Sequence, residues 1–166
     1  MKKIAGGVCA AQGFKANGVH CGIRKNKTKR DLSLIVSDVR AAAACVYTQN
    51  LVKGAPILVT KKHVEDGHAQ AIVCNSGNAN TCNADGVEIA EGMCALVEKH
   101  TGIPAGDVVV ASTGVNDQPL SLEPIASGMD PLVRGLGDNS VFEAQAIMHT
   151  GTLAKQLTRT SSIGGV

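Results

Sequence analysis

The chain has 166 residues, of which 44% are hydrophobic and only 2% aromatic, and its formal net charge at pH 7 is +2. This length suits one domain over residues 1–166 with a sizeable core, while the small charge and scarce aromatic residues argue against nucleic-acid binding. The sequence contains neither an apolar run long enough to cross a membrane nor a signal-peptide core, so we expect a cytoplasmic protein without a membrane partner.

Apolar segments in the first two thirds of the chain predict a series of strands. They lie at residues 17–24, 32–38, 43–49, 70–74 and 107–112. The first two are joined by a basic run from Arg24 to Arg30, which we interpret as the solvated tip of a hairpin. Segment 55–63 stays ambiguous, because ILVT favours a strand and the flanking charges favour a helix.

The second half of the chain shows helical periodicity. A helix is predicted after Asp85, which with Glu88 indicates a capping box, and Gly102 is expected to end it. A second amphipathic helix is predicted after Ser121 as its cap, and a third over residues 141–148. The apolar face of the first of these helices comprises Val87, Ala90, Cys94 and Val97.

Cysteine chemistry is not expected to carry the function. No C-x-x-C pattern occurs among the six cysteines, and without a secretory signal the expected state is the free thiol, with no metal site. Cys21 follows His20 directly, but neighbours in a strand point to opposite faces, so they would not form a nucleophile and base pair.

Two strand-to-loop transitions carry the candidate site. The first, VVVASTGV at 108–115, ends an apolar run in a Ser-Thr-Gly turn, where a hydroxyl and backbone N–H groups can bind developing negative charge. The second is AIVCNSGNAN at 71–80. We interpret its Asn75, Asn78 and Asn80 as Asx turns that tie the loop to the following helix, with active-site lining as the alternative.

Four segments, in order, resemble the amino-terminal α-chain segment of the ornithine acetyltransferase family, also called glutamate N-acetyltransferase or arginine biosynthesis bifunctional protein. They are GFKANGVHCGIRKNKTKRDLSLIVSD at 13–38, TQNLVKGAP at 48–56, VCNSGNAN at 73–80 and VVVASTGVNDQPL at 108–120. The resemblance implies an α/β fold, with a mixed sheet packed with helices and incomplete without the β chain of the same precursor.

The resemblance also implies a mechanism from arginine biosynthesis. The family's precursor cleaves itself, and the new amino-terminal threonine of the β chain carries acetyl from N-acetylornithine to glutamate, with its own α-amino group as the base. In this chain Thr113 and Gly114 would form the oxyanion hole, and Thr152 would bind substrate. The implied partners are the β chain, in an αβ hetero-oligomer, and the two substrates. No cofactor is implied, and acetyl-CoA is left open as a co-substrate.

The carboxyl-terminal region departs from the family pattern. Where the family has Thr-Thr-Asp-Thr, this chain has His149, Thr150, Gly151 and Thr152. The family's next block, which carries the cleavage site and the nucleophile, does not occur before Val166. We therefore expect a truncated α-chain segment that is inert alone. The alternatives are a non-catalytic module that binds an anionic metabolite, and a decayed homologue.

Overall fold

The computed structural model describes residues 1–148 and 150–162 of the chain. The strands are β1 (Lys2–Ile4), β2 (Phe14–Val19), β3 (Leu32–Ala42), β4 (His68–Asn78), β5 (Val108–Val115) and β6 (Thr158–Thr160). The helices are α1 (Ala55–His63), α2 (Gly86–Thr101), α3 (Glu123–Arg134) and α4 (Ser140–Ala146), with short 3-10 turns at Gly7–Ala10 and Ala105–Asp107.

The main sheet has the strand order β2-β3-β4-β5. The pairs β2–β3 and β3–β4 are antiparallel, whereas β4 and β5 are parallel and are connected through α2, as a parallel pair requires. Strands β1 and β6 form a separate antiparallel pair. The predicted α/β fold with a mixed sheet is therefore confirmed.

One face of the main sheet forms the hydrophobic core with α1, α2 and α3. Its buried side chains are aliphatic apart from Cys94 and two methionines, which are flexible enough to fill irregular gaps in a core without aromatic residues. The sheet contributes Leu32, Leu34, Val73, Val108 and Val110, and the helices contribute Ala90, Met93, Val97, Ile125, Met129 and Leu132. On the opposite face α4 packs beside β2 and β3, and Ile72 in β4 remains 40% exposed.

The strand predicted at 43–49 is wrong, because no regular element forms after Ala42 until α1 begins. The reason is the lack of a partner: β3 pairs with β4 as far as Ala42 and His68, where β4 begins. The ambiguous segment 55–63 is the helix α1, with Pro56 in its first turn, where the missing N–H costs no helical hydrogen bond.

The predicted helices form, with differences at their ends. Asp85 is the N-cap of α2, but its side chain accepts no capping hydrogen bond, so the capping box is wrong. Gly102 ends α2 as predicted, with φ of 77° and its N–H on the Glu98 carbonyl at 2.8 Å. Ser121 lies one residue before the N-cap of α3, and its Oγ accepts the Glu123 N–H at 3.2 Å. The helix predicted over residues 141–148 is α4, which ends at Ala146.

The hairpin between β2 and β3 starts earlier than predicted, because β2 ends at Val19. The buried Asp31 carboxylate accepts the backbone N–H groups of Cys21 at 2.6 Å and Arg24 at 2.9 Å, which removes them from the strand ladder. Residues 25–29 are exposed as expected for a solvated tip, whereas Arg24 and Arg30 are partly buried. Across the part of the chain that the structure describes, no helix combines the length and the apolar character needed to cross a bilayer.

Candidate functional site

Thr113 and Gly114 lie within β5 and not in a turn after it, because β5 continues to Val115. Parallel pairing brings the carboxyl ends of β4 and β5 to one edge of the sheet, with Ser76 opposite Thr113 and Gly77 opposite Gly114. The two transitions identified in the sequence therefore meet.

Gly114 allows an unusually close approach between the two strands. Its φ is +143°, and a Cβ there would lie 2.3 Å from the Gly77 carbonyl carbon and 2.4 Å from the Asn78 nitrogen. Gly77 also has a positive φ, of 102°, and the pairing register shifts between Gly77 and Asn78. A ladder irregularity of this kind redirects the strand end, a device common next to functional sites.

Thr113 is half-buried and opens into a cleft of about 250 Å³. The wall opposite the sheet comes from the carboxyl end of α4 and the segment that follows it. The lining includes Ala144, Ile147, Thr150, Gly151 and Lys155. The described lining residues thus include two threonines and one lysine but no acidic residue, a composition that suits an anionic or carbonyl-bearing ligand.

Thr152 does not line the Thr113 cleft. It is exposed and borders a neighbouring cleft of about 520 Å³, together with His20, Lys29 and Arg30. The two clefts share the side chains of Met148 and Leu153 as a common wall. His149, where the family pattern has a threonine, lies outside the described residues.

The three asparagines of the β4–α2 loop are buried and hold the loop together. Asn75 Nδ2 donates to the Asn78 carbonyl at 3.0 Å, and Asn78 Oδ1 accepts the Asn80 N–H at 2.8 Å, as in an Asx turn. Asn80 Nδ2 donates to the Gly86 carbonyl at 2.8 Å and so ties the loop to the start of α2. These contacts favour the structural interpretation.

Three partly or fully buried thiols are poor nucleophiles. Burial raises the pKa of Cys74 and Cys94 to about 12, and burial followed by the nearby Asp31 carboxylate raises the pKa of Cys21. These groups are therefore protonated at neutral pH. His20 Nδ1 lies 3.2 Å from Asp31 Oδ2. Among the described residues no cluster of three His, Cys, Asp or Glu side chains is arranged to hold a metal ion.

Two cleft residues escaped the sequence reasoning. Lys155 and Thr150 line the cleft beside Thr113, although the family resemblance pointed only to Thr152 in this segment. Their closeness to Thr152 in the sequence could have indicated them, since both lie within three positions of it. Which of these side chains shares a cleft with Thr113 depends on the path of the chain after α4.

The fold and the cleft define an α/β protein whose candidate site lies where two parallel strands end. The ArgJ family model matches residues 15–166, and the chain belongs to the ArgJ family, which confirms the resemblance seen in the sequence. The arginine biosynthesis bifunctional protein ArgJ of Geobacter sulfurreducens is 43% identical over 157 residues, covering 93% of this chain and 40% of the relative. For ArgJ of Symbiobacterium thermophilum the identity is 41% over 168 residues, covering 99% and 42%. The chain thus spans about two fifths of the length of these curated relatives.

Solved structures agree with the fold. The crystal structure of ArgJ from Bacillus halodurans superposes with a TM-score of 0.83 at 35% identity, over 91% of this chain and 80% of that chain. Ornithine acetyltransferase from Mycobacterium tuberculosis, crystallised in complex with ornithine, superposes with a TM-score of 0.84 at 30% identity, over 94% and 86%.

Proposed function

We propose that this chain is the α-chain part of an acyltransferase of arginine biosynthesis, which moves acetyl from N-acetylornithine to glutamate through a threonyl acyl-enzyme. The observation that carries the proposal is the position of Thr113 at a cleft where β4 and β5 end, since the family resemblance marks Thr113 and the adjacent Gly114 as an oxyanion hole.

The proposed chemistry places the charge that forms during acetyl transfer at Thr113. The hydroxyl of a β-chain amino-terminal threonine attacks the acetyl carbonyl carbon, its proton passes to the α-amino group of the same threonine, and the carbonyl electron pair moves to oxygen. The Thr113 hydroxyl and the Gly114 N–H donate to this oxygen. Collapse of the intermediate expels the amine of ornithine, which takes up the proton. The amine of glutamate then attacks the acyl-enzyme in the reverse sense.

Lys155 and Thr150 supply contacts for the rest of the substrate. Both substrates are amino acids with carboxylates, and an ammonium group in the same cleft as Thr113 is a suitable partner for one of them. Thr152 would contact the part of the substrate that extends into the neighbouring cleft, which His20 and Arg30 also line. The proposal needs no metal or cofactor, and acetyl-CoA stays open as a co-substrate.

The open face of the sheet is the proposed docking surface for the β chain. Side chains alternate along β5, so Thr113 shares its face with Val109 and Ala111, opposite to the buried Val108 and Val110. This is the face on which Ile72 remains exposed. A β chain that covers this apolar surface also lies beside the Thr113 cleft, so its docking brings the nucleophile to Thr113.

The test is acetyl transfer by the product of the complete open reading frame that encodes this chain. We expect ornithine release from N-acetylornithine that depends on glutamate, and a Thr113→Ala variant that is slower by about 10²- to 10³-fold in kcat. Thr101→Ala is the matched control, because its hydroxyl caps the end of α2 through the Val97 carbonyl at 2.7 Å, away from the cleft.

Two results would contradict the proposal. A folded product that binds N-acetylornithine without turnover would favour the module that binds an anionic metabolite, and a folded product with neither property would favour a decayed homologue. The 166-residue chain alone is expected to be inert and to bind a hydrophobic dye through its open sheet face. Turnover by this chain alone would remove the β chain from the mechanism.

A further inference from the structure

Arg24 occupies a position that the proposed mechanism does not use. Its backbone N–H is held by Asp31 Oδ2 at 2.9 Å, and its side chain runs across Gly77, where a Cβ would lie 2.8 Å from Arg24 Cγ. The guanidinium Nε then donates to Ser76 Oγ at 3.0 Å. The absence of a side chain at Gly77 therefore makes room for an arginine that reaches the end of β4.

The guanidinium group is only partly satisfied. Arg24 Nη2 is buried and has no hydrogen-bond partner, and no carboxylate within the described ranges forms a salt bridge with Arg24. A buried guanidinium donor without a partner is destabilising, and an apolar side chain of similar volume would fill this space without that cost. Packing alone is thus a poor reason for an arginine here.

The charge of Arg24 lies close to the proposed oxyanion hole. Ser76 is the register partner of Thr113 in the parallel pair, so their side chains point to the same face of the sheet. Both side chains face α4, since Ser76 Oγ donates to the Ala146 carbonyl and Thr113 shares its cleft with Ala144. Neighbouring strands are about 4.8 Å apart, which places the guanidinium within about 8 Å of the Thr113 hydroxyl.

We propose that Arg24 is a positioning residue for acetyl transfer, whose charge stabilises the oxyanion at Thr113 and whose bond to Ser76 holds the cleft wall formed by the end of α4. The inference rests on the proposed function. A unit charge about 8 Å away at an effective dielectric constant of about 20 favours the charged intermediate by about 30-fold. The negative charge of the oxyanion exists only during the reaction, so kcat should respond to the loss of Arg24 and substrate binding should not.

The experiment compares Arg24→Met, Arg24→Gln and Arg24→Lys in the complete product. Methionine removes the charge and the donor, glutamine keeps a donor for Ser76, and lysine keeps the charge. We expect kcat to fall about tenfold or more for the Met and Gln variants with KM for N-acetylornithine unchanged, and the Lys variant to retain most of the activity. Arg134→Met is the matched control, since Arg134 is an exposed arginine on α3 that pairs with Asp130 at 3.1 Å.

The outcomes separate this inference from the proposed function. A wild-type product without acetyl transfer refutes the proposed function, and this inference with it. An active wild type with unchanged kcat in Arg24→Met refutes the inference alone. The inference alone is also refuted if kcat falls equally in the Met and Lys variants and in parallel with thermal stability, because a structural role would give that pattern.

Discussion

Replacing Gly114 by alanine introduces a methyl group where the backbone of β5 lies close to Gly77 and Asn78 of β4. The backbone there has φ of +143°, which an L-residue adopts at a cost of about 1–3 kcal/mol. The new Cβ would also lie 2.3 Å from the carbonyl carbon of Gly77, so the Gly77 backbone has to move. Overpacking of this kind costs about 1–3 kcal/mol more, which gives a total of about 2–6 kcal/mol.

This magnitude is large against the stability of a domain of this size, which is about 5–15 kcal/mol. A loss of about 4 kcal/mol corresponds to a decrease in Tm of about 8–16 °C. Thermal denaturation followed by circular dichroism measures the decrease. Hydrogen exchange at the amides of 76–78 and 113–115 shows whether the damage begins at the contact between the two strands.

The matched control is Gly106→Ala. Gly106 lies in the 3-10 turn before β5, and a Cβ there has no heavy atom within 4 Å. Alanine at such a position reduces the entropy of the unfolded chain and stabilises by about 0.4–1 kcal/mol. A Gly114→Ala variant as stable as Gly106→Ala would refute the steric argument, and with it the view that glycine is required where the candidate site begins.

Three further substitutions test other contacts. Asp31→Asn should lower the free energy of unfolding by about 1–3 kcal/mol in urea denaturation, because the buried carboxylate that holds backbone N–H groups loses its charge. The control Asp38→Asn, at an exposed carboxylate, should cost under about 1 kcal/mol. Burial raises the pKa of Glu143, so its ionisation costs stability as the pH rises from the ordinary carboxyl pKa of about 4 to the raised pKa, and the full cost remains above it. Glu143→Gln should therefore raise Tm at pH 7, and the gain should disappear as the pH falls below about 4. Lys155→Met should raise KM about tenfold at unchanged kcat, whereas Lys99→Met, at the end of α2, should change neither constant. Equal KM values for the two variants would show that Lys155 does not bind substrate.

Local signals predicted much of the fold. The three- and four-residue spacing along α2 and the glycine at residue 102 placed that helix, and the apolar runs placed β4 and β5. The strand predicted at 43–49 failed, because strand formation depends on a partner that the segment itself does not encode. Composition alone could not reveal that Ala42 is the last residue opposite β4.

The candidate site was predicted in its parts but not in its arrangement. The motifs identified Thr113 and Gly114, yet not the close approach to Gly77, because that contact joins residues from two segments separated by α2. Arg24 was counted with the solvated hairpin tip, since a basic run carries no sign of which member turns inward. Its bond to Ser76 exists only after the hairpin has folded onto the end of β4.

The period of two residues along a strand explains how neighbouring polar residues acquire different tasks. Asn75 faces the core side, where its Oδ1 accepts the hydroxyl of its register partner Ser112 at 2.6 Å. The next pair, Ser76 and Thr113, faces α4 and the cleft. Because β3 holds β4 in place, a shift of β5 by one residue against β4 would turn Thr113 into the core and Ser112 toward the cleft, and Asn75 would lose its register partner. The Asn75–Ser112 bond therefore fixes the register on which the position of Thr113 depends, so structure and proposed catalysis rest on adjacent residues of the same two strands.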